Sequence, residues 1–297
     1  MKLLDNNSKG KLYAIISAFS FAASAPLGKF IRAEFSVLNL LFWRYLVASC
    51  VISFAVYIYR KELKFDKKVI LKAFITAAIF YSGSSALYFM SFDYIGTGLS
   101  SAICFSHSLF VTIYLWIFDK QKITKVYCAS FIIIVIGLSL IVNTKTGHQD
   151  YAKGISFAIL SAITYSIYIF LNRNKSSSLT PVLSSAMLFY ANMIIYLVTA
   201  FSDNSLAMPT NSSMWIKVLA LGIICTALPI FFLLKALQNT SASDVTILSV
   251  LRPVFVMLMG AVLFGETLSI YQAFGITLIF AGGVIINLQK KPAIKSN

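Results

Sequence analysis

The chain has 297 residues, 59% of them hydrophobic and only 12% charged, with a mean hydropathy of +0.83. Soluble domains carry about a quarter charged residues, so a water-soluble fold is excluded and an all-α integral membrane protein is expected. The formal charge of +15 would suit nucleic acid, but the basic residues gather in alternate loops, which marks membrane topology instead.

Ten apolar stretches are long enough, at about 17–25 residues, to cross a hydrocarbon core as helices. The first, Leu12–Ile31, follows a polar start. A cleaved signal peptide could imitate it, but it has a counterpart inside the chain at Gly154–Leu171, so it is read as a mature helix. Val37–Tyr59, Val69–Ser91, Gly96–Phe118 and Val126–Val142 follow. The mixed-charge run Arg60–Lys68 between the second and third is read as a lipid-surface and orientation signal. A polar junction, Asn143–Lys153, separates the halves. Beyond it come Gly154–Leu171, Pro181–Phe201, Met214–Leu237, Ala242–Phe264 and Tyr271–Leu288.

The halves repeat. A shift of 145 places His107 on Arg252, Phe110-Val111 on Phe255-Val256, Gln121 on Glu266 and Gly137 on Gly282. A shift of 144 places Ala14-Ile15 and Ser17-Ala18 on Ala158-Ile159 and Ser161-Ala162. The expected units are 1–143 and 152–289, with a cytoplasmic tail at 290–297. A unit with an odd number of helices must enter the bilayer in the opposite sense the second time. Two inverted five-helix repeats are the architecture of secondary transporters, whose site lies near the midplane.

Alternate loops hold most of the 25 basic residues, among them Lys9, Lys67, Lys72, Lys125 and Lys235, against Lys29, Arg32, Lys145, Lys153 and Lys217 on the other side. Both termini are therefore expected in the cytoplasm. At helix starts, Thr240–Asp244 has the form of a capping box, which gives Asp244 a structural role, and Gly96–Ser100 is a weaker version of the same entry. Small residues such as Gly275, Gly282 and Gly283 would let helices approach closely.

Ionisable groups inside a bilayer are costly and are functional candidates. Arg44, His107 and Arg252 lie well within predicted helices, and none of the ten acids is expected near the midplane. Arg252 then needs partners for its donors. Carbonyls near Pro253 or Pro229, the Ser249 hydroxyl or water could serve, and a structural arginine tied to such groups is one reading. A substrate carboxylate or phosphate would serve better, through a bidentate pairing. For Arg44, nearer its helix end, the structural reading leads. His107 can change charge near neutral pH, or stay neutral and only exchange hydrogen bonds. Tyr81 with Ser82, Ser84 and Ser85 forms the most polar intramembrane cluster, and Tyr88, Tyr165 and Asn192 are further candidates to line a substrate site.

The two histidines, one of them His148 in the junction, cannot form a multi-histidine metal site, and Cys50, Cys104, Cys128 and Cys225 lack paired spacing. No phosphate-binding glycine loop is present. His107 has no nearby intramembrane acid for a hydrolase triad. Neither cofactor nor metal is expected.

Motifs of the second half sharpen this picture. Ala236-Leu237-Gln238 precedes Ser241-Ala242-Ser243; Leu251-Arg252-Pro253-Val254-Phe255, Gly265-Glu266-Thr267-Leu268-Ser269 and Gly275-Ile276-Thr277-Leu278-Ile279 follow, leading to Gly282. In the first half, Phe42-Trp43-Arg44-Tyr45 looks like an aromatic-Arg motif. In order and spacing, over nearly the whole chain, these resemble the ten-helix members of the drug/metabolite transporter superfamily, the EamA-type permeases. Two departures stand out: Ser106-His107-Ser108 replaces the usual proline of the fourth helix, and Gln121 the acid at its end. The resemblance implies a multi-pass permease of a bacterial inner membrane that moves small organic solutes, often exporting amino acids or their derivatives, without an ATP-binding domain. Uptake or exchange of a nucleotide-like or S-adenosylmethionine-like metabolite is the second reading, and a non-transporting scaffold or receptor the third. The expected partners are a small-molecule substrate and the lipid bilayer, with no nucleic acid; the oligomeric state is left open.

Overall fold

The computed structural model describes residues 6–60, 66–120, 125–142, 150–172, 179–240, 245, 248–249 and 251–288. Among these every regular element is a helix. Gln121, Asp244, His148 and most of the polar junction lie outside the described residues.

The first span is two helices, α1 (Asn6–Ala22) and α2 (Ser24–Arg32), broken at Ala23. Pro26 has no N–H to give the carbonyl four residues back, so the ladder cannot run through unbroken. Helix α3 (Val37–Ile58) starts at Ser36, whose hydroxyl accepts from the Asn39 amide at 3.1 Å. Asp66 caps α4 (Lys67–Thr76) by accepting from the Lys68 and Val69 amides. A π-helical turn, Ala77–Tyr81, joins it to α5 (Ser82–Phe105). Two of the predicted stretches thus merge into one run that bends at Gly96, where φ is 76° and ψ 173°, a conformation open to glycine alone. After Ser106 comes α6 (His107–Asp119), then α7 (Lys125–Val142).

The second half follows the same plan with α8 (Tyr151–Asn172), α9 (Pro181–Ser202) and α10 (Ser212–Gly222), the last capped by Asn211 on the Met214 amide at 2.8 Å. A second π-helical turn, Ile223–Ala227, leads into α11 (Leu228–Asn239). Then come α12 (Leu251–Phe264) and α13 (Ile270–Leu288). Ser269 and Gln272 cap α13 reciprocally, Gln272 N to Ser269 Oγ at 3.2 Å and Ser269 N to Gln272 Oε1 at 2.9 Å.

Contacts between elements are exchanged in pairs. Helix α4 packs on α9 and α5 on α8, while in the other half α10 packs on α3 and α11 on α1. Ser17 Oγ donates to the Pro229 carbonyl at 2.7 Å, and in the corresponding place Ser161 Oγ donates to the Ser84 carbonyl at 2.8 Å. Between α7 and α13, a Cβ on Gly137 would come 2.6 Å from the Gly275 carbonyl oxygen, and one on Gly282 would lie 3.0 Å from the Ser130 carbonyl oxygen. Ser130 and Gly275, like Gly137 and Gly282, differ by the repeat shift of 145. Each half therefore does to the other what the other does to it.

Among the described residues, six helical runs are long and apolar enough to span a membrane: Asn6–Arg32, Val37–Ile58, Lys67–Phe118, Tyr151–Asn172, Pro181–Ser202 and Ser212–Asn239. Large apolar side chains such as Phe54, Phe201 and Val262 point outward. Such an apolar exterior fits lipid contact. The protein is membrane-embedded.

Candidate functional site

A cavity of about 300 Å³ lies where the two halves meet. Its floor is one face of α5 and the preceding π turn: Tyr81, Ser84, Ser85 and Tyr88 stand at i, i+3, i+4 and i+7 and all line it. His107 of α6, Tyr165 of α8, Arg252 of α12 and Arg44 of α3 line it as well. Seven of the eight residues singled out by sequence thus share one cavity. Asn192 does not: it is fully buried on α9, where its Nδ2 donates to the Leu188 carbonyl at 2.8 Å.

Arg44 is buried and held. Its Nε donates to Thr226 Oγ1 at 2.9 Å, and Thr226 Oγ1 in turn donates to the Leu221 carbonyl at 2.7 Å, just ahead of the second π turn. The guanidinium carbon lies 5.4 Å from both the Tyr45 and the Phe89 ring centroids.

Arg252 is held less fully. Its guanidinium sits over the Phe21 ring at 4.2 Å, and its Nε is buried with no hydrogen-bond partner among the described residues. A cation–π contact supplies about 0.5–2 kcal/mol, short of the several kcal/mol that desolvating a cation costs. The site therefore favours an acceptor that completes this group.

His107 begins α6, where the helix is still interrupted at Ser106 despite the lack of proline. Its Nδ1 donates to the Cys104 carbonyl at 3.0 Å. A carbonyl only accepts, so in the neutral ring Nε2 is left as an acceptor. The imidazole meets Tyr165 edge to face at 4.9 Å, and Tyr81 packs in the same manner on Tyr165 and Tyr168 at 5.9 and 5.2 Å. The Ser84 and Ser161 hydroxyls lie 3.1 Å apart, and as Ser161 Oγ donates to the Ser84 carbonyl, Ser84 Oγ donates to the Ser161 carbonyl at 3.0 Å.

Sequence reasoning missed Ser24, Phe89 and Ser101, which also line the cavity. Ser24 follows the Ala23 break just ahead of Pro26, and Ser101 lies three residues before Cys104 on the helix leading to His107; these spacings were the available signal.

Away from the cavity, α2 is tied by charge to three neighbours. Lys29 Nζ meets Glu266 Oε1 at 2.7 Å, Arg32 meets Asp93 at 2.5 Å, and Glu34, just beyond α2, meets Lys217 at 3.8 Å. Three of the basic residues on the sparsely charged side thus have acidic partners. Glu266 also accepts from the Thr97 and Gly98 amides at 2.9 and 3.1 Å. The local cap expected at Gly96–Ser100 is therefore supplied by a residue from the other half. Burial alone would raise the Glu266 pKa, but the hydrogen bonds from Lys29 and the two amides outweigh it and hold the carboxyl below its ordinary value. A depressed carboxyl stabilises the fold above its unfolded pKa and loses that effect as pH falls. Glu266→Gln is expected to lower stability by about 1 kcal/mol at neutral pH, after discounting for partial exposure. Thermal melts should show the gap between variant and wild type closing as pH falls below 4.5; a gap independent of pH would contradict this.

Two reciprocal helical halves around a cavity holding arginine and hydroxyl groups, with lipid-facing walls, define a membrane transporter. A model of the EamA-like transporter family matches residues 8–143 and again 152–288, and the chain belongs to that family. It is a transporter family and not one of enzymes. The chain is 27% identical to an uncharacterized transporter of Bacillus subtilis (strain 168) over 231 residues, covering 75% of this chain and 71% of that one. It is 21% identical to an uncharacterized transporter of Clostridium kluyveri, covering 65% of each, and 27% identical to one of Archaeoglobus fulgidus, covering 51% of this chain and 53% of that one. A crystal structure at 14% identity superposes with a TM-score of 0.63 over 94% of this chain and 96% of its own, which supports the fold.

Proposed function

We propose that the protein is a secondary transporter that moves a small polar solute carrying an anionic group by alternating access. The observation that carries this reading is the meeting of His107 and Arg252, positions that coincide under the internal repeat, at one cavity between the halves. Ten spans result if Lys67–Phe118 crosses twice, divided at Gly96, and if the shorter apolar helices Cys128–Gly137, Leu251–Phe264 and Ile270–Ile285 cross as well. Five helices per half invert the second repeat relative to the first, and the exchanged contacts support that relation. The concentration of basic residues in alternate loops supports an orientation with both termini in the cytoplasm of a bacterial cell. Amino acids and their derivatives are the class that family resemblance favours, with export as the direction.

Counterflow in proteoliposomes tests the proposal. Vesicles preloaded with amino acids, hydroxy acids, amines or nucleotides should take up the matching labelled solute faster with the protein than without it. If no class is exchanged, while Arg252 variants alter binding of a partner protein, the scaffold reading replaces this one.

A further inference from the structure

The cavity is charged in one sense only. Arg44 and Arg252 both line it, and its described lining contains no carboxylate. Each acid whose side chain is described stands away from the cavity lining: Glu34, Asp93 and Glu266 in the ion pairs around α2, with Asp93 just before the Gly96 bend of α5, Asp66 as the cap of α4, and Asp150 and Asp203 beside the ends of α8 and α9. Asp244 is eight positions before Arg252 in sequence.

A zwitterion would bring a cation into this site, where the acceptors left in the described lining, such as His107 Nε2 and the serine and tyrosine hydroxyls, carry no charge to offset two guanidiniums. The Phe21 face is covered by Arg252, and the faces of Tyr45 and Phe89 by Arg44. The Ser84 and Ser161 hydroxyls give their protons to each other's carbonyls, so toward a solute they can only accept, without charge. An anion, in contrast, meets two guanidiniums, one with an unpartnered Nε.

We infer that the transported solute bears a net negative charge, as a carboxylate or phosphate without a compensating ammonium: an organic anion such as a 2-hydroxy acid, or an amino-acid derivative with its amine blocked. This rests on the transport reading above and narrows it. The two like charges near the bound solute, with no acid in the described lining to screen them, select against an ammonium within the cavity.

The test uses the purified full-length protein and matched pairs on one carbon skeleton: lactate and alanine, malate and aspartate, 2-hydroxyglutarate and glutamate, phenyllactate and phenylalanine, with phenethylamine as the cation. Thermal stabilisation gives apparent affinity and counterflow gives transport. At least one hydroxy acid should bind about tenfold or more tighter than its amino acid. The preference should vanish in Arg252→Gln. Ser101→Asp, which places an acid in the lining, should reverse it, and this variant keeps the idea testable if the arginine variant does not fold. Equal or tighter binding of the amino acid or amine overturns the inference, as does the failure of every acid to bind. If amino acids exchange as fast as their hydroxy acids, transport stands and the charge assignment falls. If acids bind selectively but nothing is exchanged, the transport reading falls alone.

Discussion

Replacing Arg252 with methionine should reduce solute counterflow about a hundredfold or more, while leaving the empty protein at least as heat-stable as the wild type. A charge-assisted bidentate contact contributes about 1.5–3 kcal/mol per hydrogen bond, and each 1.4 kcal/mol is about a factor of ten in affinity. The empty protein loses little, because the guanidinium it gives up has a buried Nε without a partner and rests mainly on the Phe21 face. Arg252→Lys should fall between the two, about tenfold below wild type, since an ammonium retains the charge but not the planar fork. Counterflow and melting temperature measured on the same preparations decide the matter. A variant that melts well below wild type would mark Arg252 as a structural group, and one that transports normally would remove it from the site.

Gly137→Val is expected to cost about 3 kcal/mol or more, enough to lose most of the folded protein in detergent. The obstacle is backbone: the new Cβ would meet the Gly275 carbonyl oxygen at 2.6 Å, and neither helix has a flexible atom to yield there. Gly282→Val presses on the same pair of helices from the reciprocal position. Once α7 and α13 have separated to admit one side chain, the second costs less. The double variant should therefore lose less stability than the two single ones together. No described residue of either helix lines the cavity, so any folded fraction should bind solute with ordinary affinity. Full additivity of the two losses would show that the contacts are independent.

Much of this arrangement was legible in the chain, because a bilayer allows few solutions. Length and apolarity marked the apolar stretches as helical, though not that two of them run together through Gly96, and the coincidence of His107 with Arg252 and of Gly137 with Gly282 pointed to a repeat, which the family model matches twice. Tyr81, Ser84 and Tyr88 could be placed on a cavity wall because polar groups on a membrane helix must face something other than lipid. The Glu266 cap could not be read, since its amides lie 169 and 168 residues away and only the assembled halves bring them together. The two π turns left no mark either: Ala77–Tyr81 and Ile223–Ala227 contain neither proline nor glycine. Asn192 was placed by analogy of depth with Arg44, and depth says nothing about which way a helix face is turned.

That last limitation gives the π turns their meaning. A π turn takes in an extra residue without completing an extra turn, so the stripe beyond it is rotated by about 100° relative to the stripe before it. In each half the change of phase falls where the helix changes neighbour, from α9 to α8 in one and from α3 to α1 in the other. A single uninterrupted α-helix with the same contacts along Lys67–Thr76 would carry Tyr81, Ser84, Ser85 and Tyr88 around to another side. The spare residue acts as a rotary joint fixed at one angle. It lets each helix satisfy two partners whose directions a regular helix could not reconcile, and the cavity exists in the difference between those directions.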